Sequence, residues 1–133
     1  MWHEAYLGIP WSGTPKPLET LNCGELIRWV FRKDFGYECL PIPVPDARNL
    51  RDCVKAMNPR YFGFLPVEGE PKDKDAVFMS KRRMMDHCGL AVQTPEGVRI
   101  LHCSQRGGTQ LSTMGELRGQ GWTDFSWWRC PNG

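Results

Sequence analysis

Residues 87–104 read HCGLAVQTPEGVRILHCS, and this stretch decides the fold. Two apolar runs, residues 87–92 and 98–103, stand on either side of the segment TPEG at residues 94–97. The segment has the composition of a tight turn, and short apolar runs on both sides of a turn are typical of strands. The sequence therefore predicts a β-hairpin.

The register of this hairpin decides which side chains meet. A turn centred between residues 95 and 96 pairs Gly89 with His102 across the two strands. His87 and His102 then lie on the same face as diagonal neighbours, close enough for their imidazole rings to touch. A shift of one residue would send the two rings to opposite faces. We therefore expect a pair of histidines on one face of the hairpin.

A long helix is predicted to begin at Cys23. Asn22 is a favourable N-cap residue, and Glu25 follows it at the spacing of a capping box. Gly36 is a typical helix end. The apolar residues between them recur at helical spacing: Leu26, Ile27, Val30 and Phe31.

The remaining patterns complete an α+β domain. Residues 76–79 and 122–130 are predicted strands, and Thr113 with Glu116 predicts a short capped helix. Asp46 caps a second predicted helix, whose apolar residues are Leu50, Cys53, Val54 and Met57. Because helices precede strands, we expect N-terminal helices, one of them carrying Cys23, packed on an antiparallel sheet. The length of 133 residues suits one domain, residues 1–133.

The composition is that of a soluble globular protein, with 41% hydrophobic and 24% charged residues. A formal net charge of +2 is too small to indicate binding to nucleic acid or to an anionic membrane. No apolar run is long enough to cross a bilayer, and the N-terminus lacks the pattern of a secretion signal. We expect synthesis in the cytoplasm without a signal peptide, and neither a nucleic-acid nor a membrane partner.

The cysteines have two possible interpretations, a disulfide framework or buried free thiols. An even number is compatible with a disulfide framework, but the chain is larger than most disulfide scaffolds and shows no export signal. We therefore expect most of them to be small buried hydrophobic residues. The six are Cys23, Cys39, Cys53, Cys88, Cys103 and Cys130.

Cys23 is the candidate nucleophile because of its position. Unpaired N–H groups and the positive end of the helix dipole stabilise a thiolate at a helix start, and the same N–H groups can bind an oxyanion. Gly24 beside it leaves room for a substrate. His87 can act as the base, and His102 can orient it. The alternative is a buried helix cysteine and two histidines at strand ends with ordinary hydrogen bonds.

A metal site is the competing use of the same residue types. Cys23, His87, His102 and Cys103 could supply ligands, but zinc sites usually draw two ligands from one tight turn or one helix face. The spacing here does not fit that pattern. We therefore predict no metal.

Most of the chain resembles the NlpC-type cell-wall peptidases, which are papain-like cysteine hydrolases. The motifs that carry the resemblance are YLGIPW at residues 6–11, NCGELI at 22–27, DAVF at 75–78, HCGLAV at 87–92 and ILHCS at 100–104. The resemblance implies a papain-like fold and hydrolysis of amide bonds in peptidoglycan stem peptides. It implies no metal and no organic cofactor.

The C-terminal part resembles the branch of this family that is encoded with phage tail genes. It carries GGT at residues 107–109, LR at 117–118, GW at 121–122 and WW at 127–128. This resemblance implies phage tail proteins as partners and a location in the virion tail, with action at the bacterial cell wall. A tail-assembly protein of the same fold with little catalysis is the alternative, and a third interpretation keeps the thiol chemistry but changes the substrate.

The resemblance also implies roles for single residues. By position, Cys23 is the nucleophile, His87 the base and His102 the third catalytic residue. The family often has Asp, Ser and Gly where this chain has Asn22, Gly24 and Glu25, and Tyr where it has Trp11. We expect Trp11, Asn22, Gly24 and Ser104 to line the substrate site, with Trp11 equally able to pack the loop and Ser104 more typical of a strand end that faces water.

Overall fold

The computed structural model describes residues 1–42, 58–81 and 84–133. The second predicted helix, capped by Asp46, lies outside the described residues, and so does Cys53. The remaining five cysteines are free and buried: Cys23, Cys39, Cys88, Cys103 and Cys130. For these five, the expectation of buried thiols is confirmed.

The first helix, α1 (Cys23–Phe35), has the predicted ends. The Asn22 side chain accepts a hydrogen bond of 2.8 Å from the backbone N–H of Glu25. Gly36 ends the helix in the left-handed conformation with φ of 62°, which glycine adopts without strain. Only half of a capping box forms, because the Glu25 carboxylate pairs with Arg28.

Within the described residues, six antiparallel strands form one sheet. Their order across the sheet is β1-β6-β2-β3-β4-β5. Their bounds are β1 (Leu65–Pro66), β2 (Ala76–Lys81), β3 (Met84–Thr94), β4 (Gly97–Ser104), β5 (Gly108–Thr113) and β6 (Asp124–Arg129). The other elements are 3-10 turns at Trp2–Ala5 and Pro59–Phe62 and a second helix, α2 (Met114–Gly119).

The hairpin of β3 and β4 has the predicted register. Leu90 pairs with Leu101, and Thr94 pairs with Gly97 across a two-residue turn. The Thr94 hydroxyl donates a 2.7 Å hydrogen bond to the Gly97 carbonyl, which ties the two sides of the turn together. This register places His87 and His102 on the same face of the hairpin.

Strand β5 is the main element that the sequence patterns do not predict. It follows the turn at Gly107, and its buried residues include the polar Thr109 and Ser112. Polar residues after a glycine turn resemble a loop, but here they pair with β4 throughout. The helix predicted at Thr113 is confirmed, and its capping box with Glu116 is complete.

The two faces of the sheet carry different cores. On one face, Leu26, Phe31 and the rest of the apolar stripe of α1 pack on Phe78, Leu90 and Leu101. Burying a side chain of this size contributes about 1.5–3 kcal/mol, so this stripe fixes α1 on the sheet. On the other face, a smaller cluster joins Val77, Met79 and Ile100 to Leu117 of α2. In the part of the chain that the structure describes, the fold is therefore α+β, as predicted, with α1 packed on one face of a six-stranded antiparallel sheet and α2 on the other.

No helix within the described ranges is long and apolar enough to cross a membrane.

Candidate active site

His87 and His102 are in contact, as the predicted register requires. His87 Nε2 lies 2.9 Å from His102 Nδ1. The rings meet edge to face, with centroids 5.1 Å apart and an interplanar angle of 83°. Both side chains are buried. Since Nε2 of His87 is occupied by this contact, Nδ1 is the ring nitrogen that remains for another partner.

Gly89 allows this contact. A Cβ atom at this position would lie 2.6 Å from the Leu101 carbonyl oxygen and 3.1 Å from the Cβ atom of His102. Real Cβ atoms do not approach a backbone oxygen this closely. Because Gly89 has no side chain, β3 can lie close to β4 beside His102.

Cys23 lies at the first position of α1 with 1% of its surface exposed. Hydrogen bonding from the Cys88 side chain holds the pKa of the Cys23 thiol well below its usual value, and hydrogen bonding with His87 and its charge act in the same direction. These effects outweigh burial, which raises the pKa. The direction of this shift favours the thiolate form of Cys23.

Cys88 behaves in the opposite way. Burial, followed by the interaction with Cys23, raises the pKa of the Cys88 thiol well above its usual value. The pKa values of the two buried thiols are thus shifted in opposite directions. The sequence patterns identify Cys88 only as a buried cysteine, because nothing in them relates it to the start of α1.

His102 is held neutral. Burial, with a smaller contribution from the charge of His87, lowers the pKa of His102 to about 3. Its second ring nitrogen, Nε2, lies 2.8 Å from the Ser112 hydroxyl on β5. The polar contacts therefore run from His87 through His102 to Ser112, across three adjacent strands.

Trp122 covers the imidazole of His87. The two rings stack with centroids 5.2 Å apart and an interplanar angle of 23°. The ammonium group of Lys81 lies 4.3 Å from the centroid of the Trp122 ring. An aromatic face of this kind shields one side of an imidazole from water. The sequence patterns place Trp122 at the start of a predicted strand, but they do not predict its contact with His87.

The predicted substrate-binding residues beside the nucleophile have other contacts. The side-chain oxygen of Asn22 is occupied by the backbone of Glu25, as its N-cap role requires. Gly24 packs against Ile42, since a Cβ atom at Gly24 would lie 2.8 Å from both the Cβ and the carbonyl oxygen of Ile42. Ile42 therefore fills the space beside Gly24 that we expected for a substrate.

Of the other two residues predicted to line the site, Trp11 lies in the segment before α1 and Ser104 is the last residue of β4. Trp11 forms an isolated parallel bridge with Leu21, two residues before the nucleophile. The Ser104 hydroxyl accepts hydrogen bonds of 3.1 Å from the backbone of Gly107 and from the Gln110 side chain, which shapes the turn between β4 and β5. Ser104 thus has a structural role in this turn.

A cavity of about 220 Å³ lies on the outer side of α1, away from the histidines. Its lining includes the Glu25–Arg28 ion pair, Trp29 and Tyr37. Neither Cys23 nor the histidine pair lines this cavity. Among the residues that the structure describes, no group of three or more His, Cys, Asp or Glu side chains could hold a metal ion.

No protein-family model matches the chain, and no curated protein matches it. Among solved structures, the chain is similar to a "putative xylanase" from Bacteroides fragilis, with 16% sequence identity and a TM-score of 0.40. The similarity covers 57% of this chain and 47% of that protein, so the chain spans about half the length of that protein. A similarity this low carries no argument about fold or function.

Proposed function

We propose that this protein is a papain-like cysteine hydrolase that cleaves amide bonds in peptidoglycan stem peptides. The observation that carries the proposal is the 2.9 Å contact of His87 with His102 on the hairpin that packs against α1, the helix that begins at Cys23. A thiolate, a base and a group that orients the base are the parts that nucleophilic catalysis by cysteine requires.

The base acts through Nδ1 of His87, because Nε2 contacts His102. In the first step Nδ1 takes the proton of the Cys23 thiol, which gives a positive ring beside a negative sulfur. Trp122 on the ring face keeps water away from this pair. Such an ion pair keeps the sulfur nucleophilic at neutral pH.

In the first half of the reaction, the thiolate attacks the carbonyl carbon of the substrate amide. The backbone N–H groups at the start of α1 stabilise the oxyanion. The carbon–nitrogen bond then breaks, and the Nδ1 proton of His87 passes to the leaving amine. A thioester on Cys23 remains.

In the second half, His87 removes a proton from water as the water attacks the thioester. The carbon–sulfur bond breaks, the carboxylic acid leaves, and the thiolate and the protonated imidazole are restored. These steps need no metal or organic cofactor.

The choice of peptidoglycan as substrate rests on the resemblance to the NlpC-type peptidases, and a phage- or prophage-tail location rests on the resemblance of the C-terminal part. The deciding experiment is digestion of purified peptidoglycan with mass analysis of the products. We expect cleaved stem peptides with the wild type and with Cys130→Ala, which removes a buried cysteine in another part of the core. Cleavage by Cys23→Ala would contradict the proposal.

A second candidate is a tail-assembly protein of the same fold with little catalysis. It is favoured by the 1% exposure of Cys23 and by the contact of Ile42 with Gly24, which together leave the thiol covered. Inactivity of the wild type on several wall preparations, with normal tail assembly by Cys23→Ala, would support this candidate over the hydrolase.

A further inference from the structure

The imidazole of His87 is in contact with two rings that meet it from different directions. The His102 ring meets it edge to face at 83°, with Nε2 of His87 2.9 Å from Nδ1 of His102. The Trp122 indole lies nearly parallel to it, with an interplanar angle of 23° and centroids 5.2 Å apart. The first contact holds one nitrogen of the imidazole, and the second contact restricts the plane of the ring.

The plane of the ring decides where Nδ1 of His87 lies. Rotation about the Cβ–Cγ bond moves Nδ1 further than Nε2, because Nδ1 lies further from that axis. The contact of Nε2 with His102 therefore restricts this rotation only in part. A stacked ring opposes the rotation directly, since a turn of the imidazole brings one of its edges against the face of the indole.

Trp122 is itself held at three points. Its backbone N–H donates a 3.1 Å hydrogen bond to the carbonyl of Leu117 in α2. The N–H of the next residue, Thr123, donates a 3.1 Å hydrogen bond to the carbonyl of Ser80 in β2. The ammonium group of Lys81 lies 4.3 Å from the centroid of the indole ring, a distance at which an aromatic face attracts a cation. The indole therefore presents a fixed surface to the imidazole.

We propose that Trp122 is a positioning residue that fixes the ring plane of His87 and so directs its Nδ1 towards the Cys23 thiol. A catalytic group must be held within about 0.5 Å and 10–20° of its productive geometry by the side chains packed on it. The effect of Trp122 on rate rests on the proposed function, whereas its restraint on the imidazole does not. A half-buried tryptophan could instead contact the substrate, which would act on KM, or only fill the smaller core cluster.

The test compares Trp122→Phe with Trp122→Leu. Both replacements shorten the side chain, but only phenylalanine keeps a flat aromatic face. Trp127→Leu is the matched control, because Trp127 is also half-buried and packs on the same cluster, where it lies opposite Val77 in the sheet.

The first measurement is carbon-13 relaxation of histidine-labelled protein, which gives the order parameter of the His87 ring. A His87→Gln sample assigns the signals. We expect a high order parameter in the wild type, in Trp122→Phe and in Trp127→Leu, and a lower one in Trp122→Leu. A wild-type order parameter in Trp122→Leu would overturn the proposal, whether or not the protein is active.

The second measurement is hydrolysis by the same variants. We expect Trp122→Leu to lower kcat about 10–10²-fold with KM unchanged, because a misdirected base slows only the chemical step. Trp122→Phe and Trp127→Leu should keep most of the wild-type kcat. A raised KM with an unchanged kcat in Trp122→Leu would make Trp122 a substrate contact, and an equal loss in Trp127→Leu would make it a core residue. Either result would overturn the proposal.

If the wild type cleaves no wall peptide, the hydrolase proposal fails, while the order parameter still decides whether Trp122 holds the imidazole. If Trp122→Leu does not fold, Trp122→Met fills the space with a flexible side chain that has no flat face, and it is compared with Trp122→Phe in the same way.

Discussion

Gly24 at the start of α1 and Gly89 in the β3–β4 hairpin are both approached closely by another part of the chain. The two close approaches have different consequences for the candidate site. At Gly89 the close approach brings His87 and His102 together. At Gly24 the close approach places Ile42 beside the nucleophile. In the proposed hydrolase the hairpin therefore supplies the groups for proton transfer, whereas Ile42 fills the space beside the nucleophile that we expected for a substrate.

The largest expected effect comes from His87→Gln, which removes the base but keeps a polar side chain. We expect hydrolysis to fall by about 10²–10⁴-fold, the usual contribution of a positioned base. The pKa of Cys23 should also rise, because the thiolate loses its hydrogen bonding with His87 and the positive charge. The measurements are the hydrolysis rate and the pH dependence of alkylation at Cys23, mapped by mass spectrometry.

His3→Gln is the control for this variant, since His3 is also buried but lies in the N-terminal 3-10 turn. Equal hydrolysis by His87→Gln and the wild type would show that His87 does not act as the base for the Cys23 thiol.

The two glycines can be compared directly. Gly89→Ala should lower the free energy of unfolding by about 1–3 kcal/mol, the usual cost of overpacking, and should separate the imidazole rings. Gly24→Ala should lower the stability by a similar amount but leave the histidine contact intact. Urea unfolding measures the first effect, and histidine NMR measures the second.

Gly119→Ala is the matched control for both glycines, because no heavy atom lies within 4 Å of a Cβ atom at that position. A stable Gly89→Ala protein with an unchanged histidine contact would contradict the role given to Gly89.

His102 makes stability depend on pH. Its pKa is about 3 in the folded protein, against about 6.5 in an unfolded chain. The neutral ring therefore stabilises the fold fully above pH 6.5, and this contribution is lost as the pH falls towards 3. The expected slope is up to about 1.4 kcal/mol per pH unit.

Urea unfolding at a series of pH values measures this slope. His102→Asn should have a flatter profile between pH 6.5 and 4 because it lacks the titrating ring. Identical profiles for the two proteins would contradict a neutral, buried His102.

The smallest expected effect belongs to Cys88. Cys88→Ala removes the hydrogen bond that contributes most to the low pKa of Cys23, so the pKa should rise. Cys88→Ser keeps a donor and should raise it less. The pH dependence of alkylation at Cys23 distinguishes the two variants, and equal curves for both would show that the thiol of Cys88 does not act as a donor.

The sequence predicts the parts of the site that local patterns determine. Asn22 and Gly36 set the ends of α1, and the turn at residues 94–97 sets the register that brings His87 to His102. In each case the deciding residues are close together in the chain, so the known preferences of turns and helix caps are enough to predict the structure.

Local patterns do not predict the positions of Ser112, Trp122 and Cys88 beside the candidate site. Ser112 meets His102 only because β5 pairs with β4, and polar residues after a glycine turn do not predict a strand. Trp122 reaches His87 through the packing of β6 beside β2. Cys88 meets Cys23 through the packing of α1 on the sheet.

The order of the strands has a consequence for the timing of folding. In the sheet, β6 lies between β1 and β2, although β1 and β2 precede it in the chain. The strand that joins them is therefore synthesised after both, and β1 can take its place in the sheet only once Arg129, the partner of Leu65, has been made.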